Sequence, residues 1–93
     1  VNFDIEEITL RINTVANYFS RRYYGTLEIG YIPSQNVFLI YLITRASSPE
    51  IPPLITFSFG LYMNEKDFML TPDLDVLVDN IINKFFRIAK DSI

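Results

Sequence analysis

The chain predicts an α+β domain: an antiparallel sheet of three to four strands with N- and C-terminal helices packed on it. Three observations point there. Apolar residues recur at spacings of three and four near both ends. Between them lie short β-branched and aromatic runs punctuated by turn residues. Ninety-three residues, 49% of them hydrophobic, are enough for one modest core, so residues 1–93 are read as a single domain in the order α-β-β-β-(β)-α.

The first helix is predicted from Asp4 to Tyr24. Asp4 suits an N-cap with Glu7 three residues on, and Phe3 and Ile8 are spaced as a hydrophobic staple. Ile5, Ile8, Ile12, Val15, Phe19 and Tyr23 form one apolar stripe. Glu7 and Arg11 are placed as an i,i+4 ion pair. Arg21 and Arg22 complement the dipole in the last turn, and Gly25 is the stop.

A strand from Thr26 to Ile32 alternates, with Leu27, Ile29 and Tyr31 on one side. Pro33-Ser34-Gln35-Asn36 is turn chemistry of hairpin length. The second strand, Val37 to Arg45, is apolar on both sides, the mark of a central strand. Ala46 to Pro53 carries three prolines and reads as an extended connection. Leu54 to Met63 is a third strand. Asn64 to Asp67 reads as a hairpin turn into a short fourth strand, Phe68-Met69-Leu70.

The last helix is predicted from Pro72 to Lys90, with Thr71 as N-cap and Pro72 at the first helical position. Leu74, Leu77, Val78, Ile81, Ile82, Phe85, Ile88 and Ala89 make its broad stripe. Asp73 and Asp75 sit where a helix N-terminus favours negative charge, so they read as dipole-complementing acids and not as a metal site.

Composition narrows the function classes. The chain has no histidine and no cysteine, so the familiar triads, thiol chemistries and His/Cys metal sites have no residues to use. Ser34, Ser47 and Ser48 have no base to activate them, and the three glycines are scattered. Glu65 and Asp67 read as solvated acids at a turn tip, unsuited to paired-carboxylate chemistry. The expectation is a non-enzymatic chain without cofactor or metal, with a small enzyme using a lone carboxylate or tyrosine site as an alternative. Its longest apolar run, Val37 to Ile43, is far short of the ~20 residues of a spanning helix. With no leader pattern among residues 1–20, the expectation is a soluble, cytoplasmic protein that uses no membrane.

Net charge is −3 and the pI about 4.7, which argues against phosphate-driven binding. The one basic cluster, Arg21, Arg22, Tyr23 and Tyr24, with Arg45, gives the alternative of a nucleic-acid-binding domain. The favoured expectation comes from the central strand. If both helices pack on one sheet face, then either Val37, Leu39, Tyr41 and Ile43 or Phe38, Ile40 and Leu42 need another cover. The alternative is that the helices take opposite faces or the proline-rich connection folds over the patch, giving a self-sufficient monomer. Leaving about 400 Å2 bare forgoes on the order of 10 kcal/mol of transfer free energy. Tyr18, Tyr24, Tyr62, Met63 and Phe86 lie off the core stripes and extend such a surface. The chain is therefore expected to be a protein-binding module: an adaptor, an assembly factor, or a small inhibitor of the kind viruses and mobile elements encode. Its partner is another protein or, as a homodimer, a second copy of itself.

Overall fold

The computed structural model describes residues 2–23, 25–44 and 56–91. Helix α1 (Ile5–Arg22) leads into three strands, β1 (Gly25–Ile32), β2 (Val37–Thr44) and β3 (Thr56–Asn64). A short helix α2 (Glu65–Leu70) and a long helix α3 (Leu74–Asp91) follow. The sheet is antiparallel in the order β1-β2-β3. The α+β class and the three-stranded sheet are as the sequence predicts.

Local chemistry sets the first elements. Asp4 Oδ1 accepts from the Glu7 N–H at 2.8 Å, and Phe3 and Ile8 both join the core. At the far end Tyr23 is extended and its N–H donates to the Phe19 carbonyl. Gly25 has no positive φ, so its value lies in close approach. A Cβ there would stand 2.9 Å from the Ile43 carbonyl oxygen and 3.1 Å from the Phe19 ring. The β1–β2 turn closes with the Gln35 N–H on the Ile32 carbonyl at 3.2 Å. Asn36 takes φ 54°, a left-handed conformation that asparagine tolerates well.

One layer of helices packs on one face of the sheet. Phe38, Ile40 and Leu42 of β2, Leu27 of β1, and Leu61 and Met63 of β3 are buried on that face. Ile8, Val15 and Phe19 of α1 and Leu77, Val78, Ile81 and Phe85 of α3 meet them in a single core. Of the two alternatives for β2, the helices thus cover Phe38, Ile40 and Leu42. These three side chains are core, and they leave the candidate surface.

Three local expectations are corrected. Phe68–Leu70 is not a fourth strand but the second half of α2. Asn64 caps that helix, its side-chain oxygen accepting from the Lys66 N–H at 2.8 Å. Phe68 then turns back under the sheet and stacks on Phe38, ring centroids 4.0 Å apart. Asn-Glu-Lys-Asp is as good a helix start as a turn, and burying Phe68 favours the helix.

The second correction concerns the caps. Helix α3 starts after Asp73, whose Oδ1 accepts from the Asp75 N–H at 2.8 Å, and Thr71 instead ends α2. The third concerns Arg11, which does not pair with Glu7. Its Nε donates to the Phe68 carbonyl at 3.0 Å and its Nη2 to the Thr71 carbonyl. Carbonyls left open at the end of a helix are strong acceptors, and a forked guanidinium satisfies two at once.

Candidate functional site

The face of the sheet turned away from the helices is the candidate site. Strand alternation puts Glu28 and Gly30 of β1, Leu39, Tyr41 and Ile43 of β2, and Gly60 and Tyr62 of β3 on it. Leu39 and Ile43 are half-buried, while Tyr41 is 39% and Tyr62 62% exposed. No described helix lies against this side. The register aligns Glu28, Tyr41 and Gly60 in one row and Gly30, Leu39 and Tyr62 in the next.

The two glycines of the face differ. At Gly60 the missing side chain is replaced by neighbours: a Cβ would meet Leu39 Cδ1 at 2.9 Å and the Tyr41 ring at 3.0 Å. The Tyr41 ring therefore leans across Gly60, an aromatic covering a strand glycine. At Gly30 a Cβ would meet nothing within 4 Å. The face thus has a raised side along Leu39, Tyr41 and Tyr62 and open space over Gly30.

Of the residues expected at an interface, Leu39, Tyr41, Ile43 and Tyr62 share this face. Phe38, Ile40 and Leu42 lie beneath it in the core, as does Met63, the register partner of Phe38, and Tyr18 packs against that core from α1. Phe86 is 51% exposed on α3, in the helical layer, and does not belong to the patch. Tyr24 lies outside the described residues. Glu28 and Gly30 were not singled out from the sequence, although the polar position in the alternation of β1 is the signal that places Glu28 outward.

The basic cluster is dispersed by its own contacts. Arg22 lies 4.6 Å over the Tyr18 ring and 3.9 Å from Asp75 Oδ1, and the Tyr18 hydroxyl donates to that same carboxylate. Hydrogen bonding to Asp75, then burial, raises the Tyr18 pKa above the ordinary phenol value; the Arg22 charge opposes the rise. Tyr23 stacks on Phe19 at 5.0 Å. Arg21 is exposed, and Arg45 lies outside the described residues. One arginine of the described pair is therefore committed to an acid of α3.

Glu65 departs from expectation. It is only 9% exposed and is not a solvated turn acid. Its Oε2 accepts from the Tyr31 hydroxyl at 2.9 Å, and its N–H donates to the Asn36 carbonyl at 3.0 Å. It borders a pocket of about 310 Å3 whose other walls are Asn2, Gln35, Asn36, Asn64 and Lys66. Among the described residues no group of three or more acids forms a metal site, and no helix is long and apolar enough to cross a membrane. Comparison with known proteins adds nothing to the geometry: no family model, curated protein or solved structure matches the chain.

Proposed function

We propose that the chain is a non-catalytic protein-binding module that recognises another protein through the open face of its sheet, as an adaptor, assembly factor or small inhibitor does. The observation that carries this is the one-sided layering. Every described helix covers the Phe38–Ile40–Leu42 side, and the opposite side presents Leu39, Tyr41, Ile43 and Tyr62. Tyrosines rising from an apolar floor give a large contact area for few frozen torsions, and they are enriched at interface cores. The nucleic-acid alternative is weaker, because Arg22 faces Asp75 and the open face carries Glu28.

The test is capture from extracts of the source cell on immobilised wild-type chain, followed by reconstitution with the purified captured protein. Tyr62→Lys is expected to abolish the interaction while keeping its circular dichroism spectrum and melting temperature. Phe86→Lys, on the helical layer, is expected to leave it intact. A partner that binds Tyr62→Lys as well as wild type would overturn the proposal.

A further inference from the structure

At the end of the sheet opposite to Thr44 and Thr56, three segments enclose the pocket of about 310 Å3. Asn2 comes from the arm before α1, Gln35 and Asn36 from the β1–β2 turn, and Asn64, Glu65 and Lys66 from the junction of β3 with α2. The turn and the junction are fastened to each other. Val37 pairs with Asn64 across the sheet, the Glu65 N–H donates to the Asn36 carbonyl at 3.0 Å, and Asn64 Oδ1 accepts from the Lys66 N–H at 2.8 Å. Glu65 is the buried member of the wall, 9% exposed. Its Oε2 takes the Tyr31 hydroxyl at 2.9 Å, and among the described residues Oε1 receives no donor. A buried carboxylate oxygen left without a donor is costly, so a group that donates to it from the pocket is favoured.

The rest of the wall narrows the ligand. Four carboxamides, on Asn2, Gln35, Asn36 and Asn64, each carry donors and an acceptor on one planar group. One carboxylate and one ammonium leave the lining without net charge, so an anion meets Glu65 and a cation meets Lys66. Among the described residues that line the pocket none is aromatic or aliphatic, which gives a nucleobase or an acyl chain nothing to lie against. We infer that this pocket binds a neutral sugar unit, its hydroxyls bridging the Glu65 carboxylate and the surrounding carboxamides. A hydroxyl donates one hydrogen bond and accepts others. Neighbouring hydroxyls of one ring therefore give a proton to Glu65 Oε1 while taking N–H bonds from carboxamides and from Lys66, and bonds linked in this way strengthen one another. The volume is at the small end of the range for small-molecule sites, about 300–1,000 Å3. No residue placed on the open face of the sheet lines this pocket, so the two sites are separate.

The probes are the methyl glycosides of glucose, galactose, mannose and N-acetylglucosamine. Each is titrated into the isotopically labelled chain and read from its backbone and side-chain amide resonances. At least one is expected to bind saturably, with a Kd on the order of 1 mM, and to move the carboxamide signals of Gln35, Asn36 and Asn64 ahead of the rest. Glu65→Gln replaces one acceptor oxygen by a donor and is expected to weaken that binding about tenfold. Because Glu65 also holds Tyr31, the exposed Gln35→Ala and Lys66→Ala are measured beside it. Each is expected to keep the wild-type melting temperature and lose about threefold or more in affinity. Tyr62→Lys is expected to bind the sugar as wild type does. No saturable shift with any of the four glycosides, or affinity unmoved in both Gln35→Ala and Lys66→Ala, overturns the inference. So does glycine or acetate moving the same signals as tightly as the best glycoside, which makes the pocket a site for charged ligands. None of these results bears on the open face, whose own test is a captured protein that Tyr62→Lys fails to bind.

Discussion

The hydroxyl of Tyr31 on β1 donates to Glu65 Oε2 at 2.9 Å, joining the first strand of the sheet to a helix that begins far along the chain. Glu65 is the buried acid among the described core residues, and this bond spares it a bare burial. The Glu65 N–H on the Asn36 carbonyl fastens the same point to the hairpin. The β1–β2 turn, the end of β3 and the start of α2 are thereby tied together.

Removing the Tyr31 hydroxyl therefore costs more than an exposed contact would. Tyr31→Phe is expected to lower unfolding free energy by about 1–3 kcal/mol, read as a shift in urea midpoint at constant slope. The bond also has a pH signature. Hydrogen bonding to Glu65, then burial, then the Glu65 charge raise the Tyr31 pKa above that of a free phenol. The folded state then holds this proton longer than the unfolded chain, whose tyrosines release theirs near pH ~10. The contribution is complete below that value and disappears as pH rises through the folded pKa. Stability of the wild type should fall on the alkaline side more steeply than that of Tyr31→Phe. Tyr18, raised in the same direction by Asp75, leaves a residual slope in the variant.

Arg11 holds α2 to α1 through the carbonyls of Phe68 and Thr71. Arg11→Ala should destabilise by about 1–3 kcal/mol, since two half-buried acceptors lose their donor. Arg11→Lys should recover only part of this, because an ammonium lacks the fork that reaches both oxygens. Faster amide exchange in residues 65–70, ahead of the rest of the chain, is the local readout.

Gly25 and Gly30 should respond oppositely to alanine. A Cβ at Gly25 meets the Ile43 carbonyl oxygen at 2.9 Å, where backbone must move, so Gly25→Ala should cost about 1–3 kcal/mol. At Gly30 the space is open and φ is not positive, so Gly30→Ala should stabilise by about 0.4–1 kcal/mol. Thermal unfolding of the two variants side by side decides this.

The two sides of β2 and β3 should also part company. Phe38→Ala empties a site packed against Phe68 and Tyr31 and should cost about 3–5 kcal/mol. Tyr62→Ala on the open side should stay within roughly 0.5 kcal/mol. Similar losses at both positions, in chemical denaturation, would show that the outer face is covered after all.

Much of the architecture is written locally, because helices and strands announce themselves by period and by caps. The stripe of Ile8, Val15 and Phe19 and the capping of Glu7 by Asp4 need no knowledge of the fold. The same is true of the greasy run Val37–Ile43, whose surplus already implied a face in want of cover. Which half of that run meets the helices is a different kind of question. Phe38 and Leu39 are both apolar and a strand offers them opposite sides, so only the docking of α1 and α3 on one side makes the first core and the second surface. The same non-local decision turns Phe68–Leu70 from a possible strand into a helix, since Phe68 reaches Phe38 only by that path. It moves Arg11 from its neighbour Glu7 to carbonyls 57 and 60 residues away. It also sinks Glu65 beside Tyr31. Periodicity sets what each segment prefers; which apolar faces meet, and which polar groups must then find new partners, is settled when the segments pack.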